Sequence, residues 1–142
     1  MHPDPTWIVV ADSQAVRFFL RSHWGEPLKE LAELADSADF LDGRSDPHVD
    51  AVLAYPGEIV GRVIEQDRIE SVFLHRVARS IDDVMTRYAA QGLVLCAPPR
   101  ELCLLRDYIS PSSLAKITCE LSADLVKASA SVIDAEMLRL KA

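Results

Sequence analysis

The fold is decided by residues 93–102, which read Leu93-Val94-Leu95-Cys96-Ala97-Pro98-Pro99-Arg100-Glu101-Leu102. Five apolar residues in a row are typical of a strand that is covered on both faces of a sheet. The run ends at two prolines, which cannot continue a hydrogen-bonded ladder but are tolerated at the start of a helix. The stretch therefore predicts a buried central strand that leads into a helix, as in an α/β sheet whose strand ends face a crevice.

The composition is that of one ordinary globular domain. The chain has 142 residues, of which 49% are hydrophobic and 26% are charged, and this length is enough to bury roughly two-thirds of the unfolded surface. We expect a single domain over residues 1–142. The net charge of -7 repels phosphate backbones, so we expect no bulk nucleic-acid binding.

The cysteines and the apolar runs bear on the compartment. Three cysteines, Cys96, Cys103 and Cys119, make an odd number without a Cys-x-x-Cys pair, which fits neither a disulfide framework nor a zinc site. We expect them to be reduced core residues. The N-terminus has no positively charged region before its short apolar run, and no apolar run approaches the ~20 residues that a spanning helix needs. These features favour a cytoplasmic protein without membrane contact.

The N-terminal part of the chain predicts three strands and a long loop. Residues 6–11 are apolar in succession, and residues 15–21 follow after a short turn, so the two strands are antiparallel. Residues 28–35 are ambiguous because their apolar positions also fit a helix, and we predict a third strand there. Residues 36–66 contain five aspartates and no sustained period. They predict a long acidic loop that is either mobile or an interaction element.

Helices alternate with strands in the rest of the chain. Asp67 and Glu70 have the spacing of a capping box, which predicts the start of a long amphipathic helix. The predicted elements are a helix from Asp67 to about Gly92, a strand at 93–97, a helix at about 98–108, a strand at 117–121 and a final helix opened by Ser131 and Asp134.

The resulting order, βββ-α-β-α-β-α, predicts an α/β fold with a mixed five-stranded sheet of the ribonuclease H-like architecture. If the crossovers are right-handed, the first, fourth and fifth strands are parallel. Their carboxyl ends then meet at one edge of the sheet, near Asp12, Pro98 and Asp124. One core should be shared by the apolar faces of the central strands and the long helix, namely by Trp7, Val9, Phe18, Phe73 and Leu95.

Several stretches also carry a family resemblance. They are residues 7–12 with 15–19, residues 93–99 with Leu102 and Leu105, residues 110–116, and residues 120–125. Together they resemble the bacterial "protein required for attachment to host cells" family over nearly the whole chain. The chain departs from that family at Ser13, where a Gly is frequent, and at Ala123, where a Lys often precedes the acid.

The resemblance implies a fold similar to the central domain of eukaryotic and archaeal peptide-chain release factors. It also implies a noncatalytic binding or regulatory protein that acts on an unknown protein or ribonucleoprotein partner, such as the ribosome or an RNA complex. The family name describes a phenotype and not a molecular contact. A homodimer is compatible with this reading.

Known catalytic patterns do not occur in the sequence. A ribonuclease H-type nuclease needs several carboxylates around two metal ions about 4 Å apart, but the predicted fourth strand ends in Ala97-Pro98-Pro99 without an acid. The chain has neither the Gly-Gly-Gln of release factors nor a Gly-x-Ser-x-Gly elbow, and its four histidines are scattered. We therefore predict no catalytic residue, no metal site and no cofactor.

The candidate ligand site is the crevice edge, and it consists of Asp12, Arg17, Pro98, Pro99, Arg100 and Asp124. A helix that starts at proline presents free amides, which together with Arg100 can hold an anion or a phosphate group. The structural alternative is that Asp12 only caps its own turn. The alternative function is an enzyme of unrecognised type that acts on an anionic ligand at this edge.

Overall fold

The protein is a mixed five-stranded sheet with helices on both faces. A computed structural model describes residues 5–23, 26–35 and 62–141. Most of the predicted acidic loop, residues 36–61, lies outside the described residues. The elements are β1 (Thr6–Ala11), β2 (Val16–Arg21), β3 (Lys29–Glu30), α1 (Ala32–Ala35), α2 (Arg62–Arg87), β4 (Gly92–Ala97), α3 (Pro99–Tyr108), α4 (Pro111–Leu114), β5 (Ile117–Ser122) and α5 (Ala130–Lys141).

The strands lie in the order β3-β2-β1-β4-β5. β1 is antiparallel to β2 because a short turn joins them, whereas β1, β4 and β5 are parallel because a helical crossover separates each from the next. The predicted mixed sheet with three parallel strands is confirmed. The carboxyl ends of β1, β4 and β5 consequently lie at the same edge of the sheet, which we call the carboxyl edge.

Both faces of the sheet are covered. β1 and β4 are buried at every position, as continuous apolar runs predict for central strands. On one face α2 and α3 pack over Trp7, Val9, Phe18, Leu93 and Leu95, with Phe73 partly buried beside them. On the other face α5 packs over Ile8, Val10, Phe19, Val94 and Cys96 through its own Ile133 and Met137. The predicted common core is confirmed.

The long helix begins earlier than predicted. α2 starts at Arg62, so residues 62–66 are helical and do not belong to the acidic loop. Asp67 and Glu70 therefore lie inside the helix, and the predicted capping box is wrong. The same spacing of side chains occurs within helices, and the residues between Arg62 and Asp67 are ordinary helix formers with no Gly or Pro to stop them.

The predicted third strand is only partly correct. β3 has two residues, and the N–H of Leu31 still donates to the O of Phe18 at 2.9 Å before the chain turns into α1. Leu31 and Leu34, three positions apart, both pack against the core below α2. The segment therefore combines a two-residue strand with a single helical turn.

The final helix also differs in its start. α5 begins at Ala130, and Ser129 caps it by accepting a hydrogen bond from the N–H of Val132 at 3.2 Å. The predicted cap at Ser131 is therefore wrong, and Ser131 lies in the first turn. Because any Ser two residues away offers the same hydroxyl, the sequence pattern alone does not distinguish the two starts.

Candidate functional site

The carboxyl edge joins the ends of β4 and β5. The N–H of Ala123 donates to the O of Ala97 at 3.0 Å. The thiol of Cys96 lies 3.6 Å from the O of Ala123. These contacts fix the loop after β5 beside the start of α3, where the predicted ligand site lies.

The side chain of Asp12 forms hydrogen bonds within its own turn at this edge. Its Oδ1 accepts hydrogen bonds from the N–H groups of Gln14 and Ala15, each at 2.7 Å. Its own N–H donates to the O of Ala15 at 2.9 Å. This is an Asx turn that closes the β1–β2 connection, the structural role that the sequence left open for Asp12.

The prolines open α3, and Arg100 ties that helix to its neighbour. Pro98 precedes the helix and its O accepts from the N–H of Leu102 at 2.8 Å, while Pro99 occupies the first helical position. Proline has no side-chain group that can cap a helix. Nη1 of Arg100 lies 2.9 Å from Oε1 of Glu70 on α2. The guanidinium of Arg100 therefore forms an α2–α3 contact beside the prolines.

Arg17 links three segments of the fold, which are β2, β3 and the loop after β5. It forms a two-point contact with Glu30, at 2.8 Å and 3.0 Å, and donates to the O of Val126 at 2.8 Å and to the O of Ala128. Its guanidinium also lies 4.9 Å from the ring centre of Phe19. The hydrogen bond to Glu30 raises the pKa of Arg17, and the same bond lowers the pKa of Glu30. We call this set of contacts the Arg17 clasp.

Asp124 lies in the loop after β5 and is exposed. Burial raises the pKa of the Cys96 thiol to about 12, and the charge of Asp124 adds to that effect. Cys96 is thus the reduced core residue that the sequence predicts. Cys103, in contrast, is exposed on α3, so its predicted core position is wrong.

The structure therefore brings the predicted residues to one edge but gives several of them other partners. Asp12, Pro98 and Asp124 follow parallel strands that end at the same side. Arg17 stands opposite Val10 near that side, on the sheet face that α5 covers. Arg100 turns to α2. An open groove nearby was not predicted.

This groove runs between α3 and β5, and we call it the α3–β5 groove. Its volume is about 430 Å³. It is lined by Pro99, Leu102, Cys103, Arg106, Asp107, Leu114, Glu120 and Ser122. Nε of Arg106 lies 3.6 Å from Oε2 of Glu120, so a charged pair bridges its two walls.

The groove exists because β5 presents a polar face to α3. Side chains alternate between the two faces of a strand, so Glu120 and Ser122 point to the side of α3 while Leu121 is buried under α5. Polar side chains gain little from burial under a helix, so α3 does not pack closely against the edge strand β5. Leu102 and Leu114 supply apolar surface, and Arg106, Asp107 and Glu120 supply charges of both signs.

Across residues 5–23, 26–35 and 62–141, no group of three or more His, Cys, Asp or Glu side chains is arranged to hold a metal ion. In the same part of the chain, no helix has both the length and the apolar character needed to cross a membrane.

Comparison with known proteins gives one family. Residues 7–137 match the family model described as "Protein required for attachment to host cells". No curated protein matches the chain. Because the match covers most of the sequence, from the first residues of β1 to the middle of α5, the chain belongs to the family of proteins required for attachment to host cells.

Proposed function

We propose that this chain is a noncatalytic binding protein whose α3–β5 groove receives a segment of a partner protein. The observation that carries the proposal is the groove itself, an open cleft of about 430 Å³ with both apolar and charged walls. Clefts that bind peptides combine apolar anchor pockets with a few polar groups that fix orientation. Leu102 and Leu114 provide the apolar surface of the groove, and Arg106 with Glu120 provides the polar groups.

The partner is a protein or the protein part of a ribonucleoprotein. The net charge of -7 opposes a sugar-phosphate backbone, whereas the groove offers charges of both signs to a polypeptide. A ribonuclease H-like architecture with a likeness to the central domain of release factors remains part of this proposal. The strand order β3-β2-β1-β4-β5 with β2 antiparallel to β1 supports this architecture. The proposed likeness to release factors makes a ribosomal partner the first to test.

The test is affinity capture from the native cell with three matched baits, followed by quantitative mass spectrometry. The baits are the wild type, Arg106→Glu in the groove and Arg139→Glu on α5. Both arginines are largely exposed, at 58% and 70%, and both pair with a glutamate, so the two variants change the charge equally. A partner that the wild type and Arg139→Glu retain and that Arg106→Glu loses supports the proposal. Equal capture by all three baits contradicts it.

The second candidate is an anionic or phosphate-bearing ligand at the carboxyl edge, bound by a carrier or by an enzyme of unrecognised type. The observation that favours it is that α3 opens with Pro98 and Pro99, which give its N-terminus no side-chain cap. The residues proposed for this ligand are Asp12, Arg17, Pro98, Pro99, Arg100 and Asp124.

Titration of the isotope-labelled protein with phosphate, nucleotides and short RNA tests this candidate. Shifts confined to the amide signals of Arg100, Glu101 and Leu102, lost in Arg100→Glu, support an anion site. Because Arg100 contacts Glu70, the charge reversal should be paired with Glu70→Gln, which keeps the arginine and should retain the shifts. Unchanged spectra in all titrations would remove this candidate and leave the groove.

A further inference from the structure

The two edges of the sheet differ in how they are protected. At one edge β3 has only two residues, Lys29 and Glu30, and both are exposed and charged. At the other edge β5 has six residues, 117–122, with no proline, no lysine and a single charge at Glu120. Among the described residues no strand pairs with the outer side of β5. Edge strands of this length are usually blunted or covered, since their free backbone groups invite another strand.

The direction of the backbone groups in β5 follows from one hydrogen bond. The N–H of Ala123 donates to the O of Ala97 in β4. Because N–H and C=O groups alternate sides along a strand, Leu121 also bonds toward β4. Glu120 and Ser122 therefore direct their N–H and C=O groups outward, away from the sheet.

We propose that β5 pairs with β5 of a second copy of this chain, antiparallel and across a two-fold axis at Leu121. In that register Glu120 of each copy stands opposite Ser122 of the other, and each such pair exchanges both of its backbone hydrogen bonds. An axis at Glu120 would instead place two glutamates opposite each other, which is unfavourable. The pattern of outward groups is thus complementary to itself in the register at Leu121.

The charges at the edge fit the same arrangement. Arg106 already lies 3.6 Å from Glu120 of its own chain, and adjacent strands are about 4.8 Å apart. Glu120 of the second copy, opposite Ser122 and on the same face, then enters the α3–β5 groove beside Arg106. The two grooves become one cleft that is floored by both β5 strands and flanked by both α3 helices. This pairing does not depend on the ligand proposed for the groove.

The experiment is sedimentation equilibrium of the full chain from about 1 to about 200 µM, where a monomer–dimer equilibrium is expected. Ser122→Glu places a glutamate opposite Glu120 in both symmetric pairs and should raise the dimer dissociation constant about tenfold. Ser122→Lys changes the same exposed position but places a positive charge opposite Glu120 of the other copy. It should leave the dimer dissociation constant unchanged or lower it.

A backbone variant tests the hydrogen bonds separately. Glu120→Pro removes an N–H that only the second copy uses, so it should abolish the dimer, whereas Glu120→Thr keeps that N–H and should still dimerise. If Glu120→Pro does not fold, the comparison of Ser122→Glu with Ser122→Lys alone tests the pairing of the two β5 strands. A wild type that stays monomeric at all concentrations overturns the proposal. So does a dimer that Ser122→Glu and Ser122→Lys weaken equally.

Discussion

Replacement of Arg17 by Ala should destabilise the protein by about 3.5 kcal/mol or more. The two bonds to the O atoms of Val126 and Ala128 are partly buried, and hydrogen bonds to a charged group contribute about 1.5–3 kcal/mol each. The pair with Glu30 adds little, about 0.5 kcal/mol, because the Glu30 side chain is 35% exposed and screened by water. Arg17→Lys keeps the charge but cannot reach all three partners, so it should lose about half of the total.

Urea unfolding followed by circular dichroism measures this loss. Arg139→Ala is the control, because Arg139 is exposed and, among the described residues, its ion pair is with Glu136 of the same helix. Its effect should stay below ~0.5 kcal/mol. If Arg17→Ala costs less than about 1 kcal/mol, the Arg17 clasp does not hold the loop after β5, and Arg17 is then available to a ligand.

The clasp also predicts a dependence on pH. The hydrogen bond from Arg17 lowers the pKa of Glu30 in the folded protein. The stability from this pair is therefore complete above the unfolded pKa of about 4.3 and is lost as the pH falls through the lower folded pKa. The difference in unfolding free energy between wild type and Arg17→Ala should narrow as the pH falls below about 4. A difference that is the same at pH 7 and at pH 3 would contradict the Glu30 contact.

Three further outcomes can be checked on the isolated protein. Ala89 has a positive φ of 49° after α2, so Ala89→Gly should raise the unfolding free energy by about 0.5–1 kcal/mol in urea titration, and a decrease would contradict that conformation. At pH 8 a thiol reagent should modify exposed Cys103 in the native protein but Cys96 only after unfolding, because Cys96 is buried with a pKa of about 12; equal rates read by mass spectrometry would refute its burial. Asp82 accepts from the N–H and hydroxyl of Ser110, so Asp82→Ala should cost about 2–3 kcal/mol in the same titration, and a neutral effect would show that α2 does not anchor α4.

The features that the sequence predicted well are those that depend on neighbours in the chain. The buried strands β1 and β4 follow from continuous apolar runs, and the parallel and antiparallel pairings follow from the lengths of the connections. The carboxyl edge follows from those directions. Asp12 also behaves as its turn chemistry indicates, since its partners are two and three residues away.

The features that the sequence did not predict depend on approach between distant residues. The partners of Arg17 at Val126 and Ala128 are 109 and 111 positions away. The α3–β5 groove exists because α3 does not pack closely against the polar face of β5. The sequence signal for that polar face is the alternation that places Glu120 and Ser122 on the same side of the strand. Alternation shows which residues share a face, but not how far a helix lies above them.

Photo-crosslinking from inside the α3–β5 groove tests most directly whether a partner binds there. Cys103 lines the groove and is exposed, so a thiol-reactive photo-crosslinker attached there should capture the bound partner in a native lysate. The control carries the probe on α5, through Ser131→Cys in a Cys103→Ala background, since Ser131 is exposed on the opposite face. We expect a discrete product that joins Cys103 to a protein other than this chain, that Arg106→Glu removes and that the α5 probe does not form. Equal products from both probes, or a product from the α5 probe alone, would contradict the groove as the binding site.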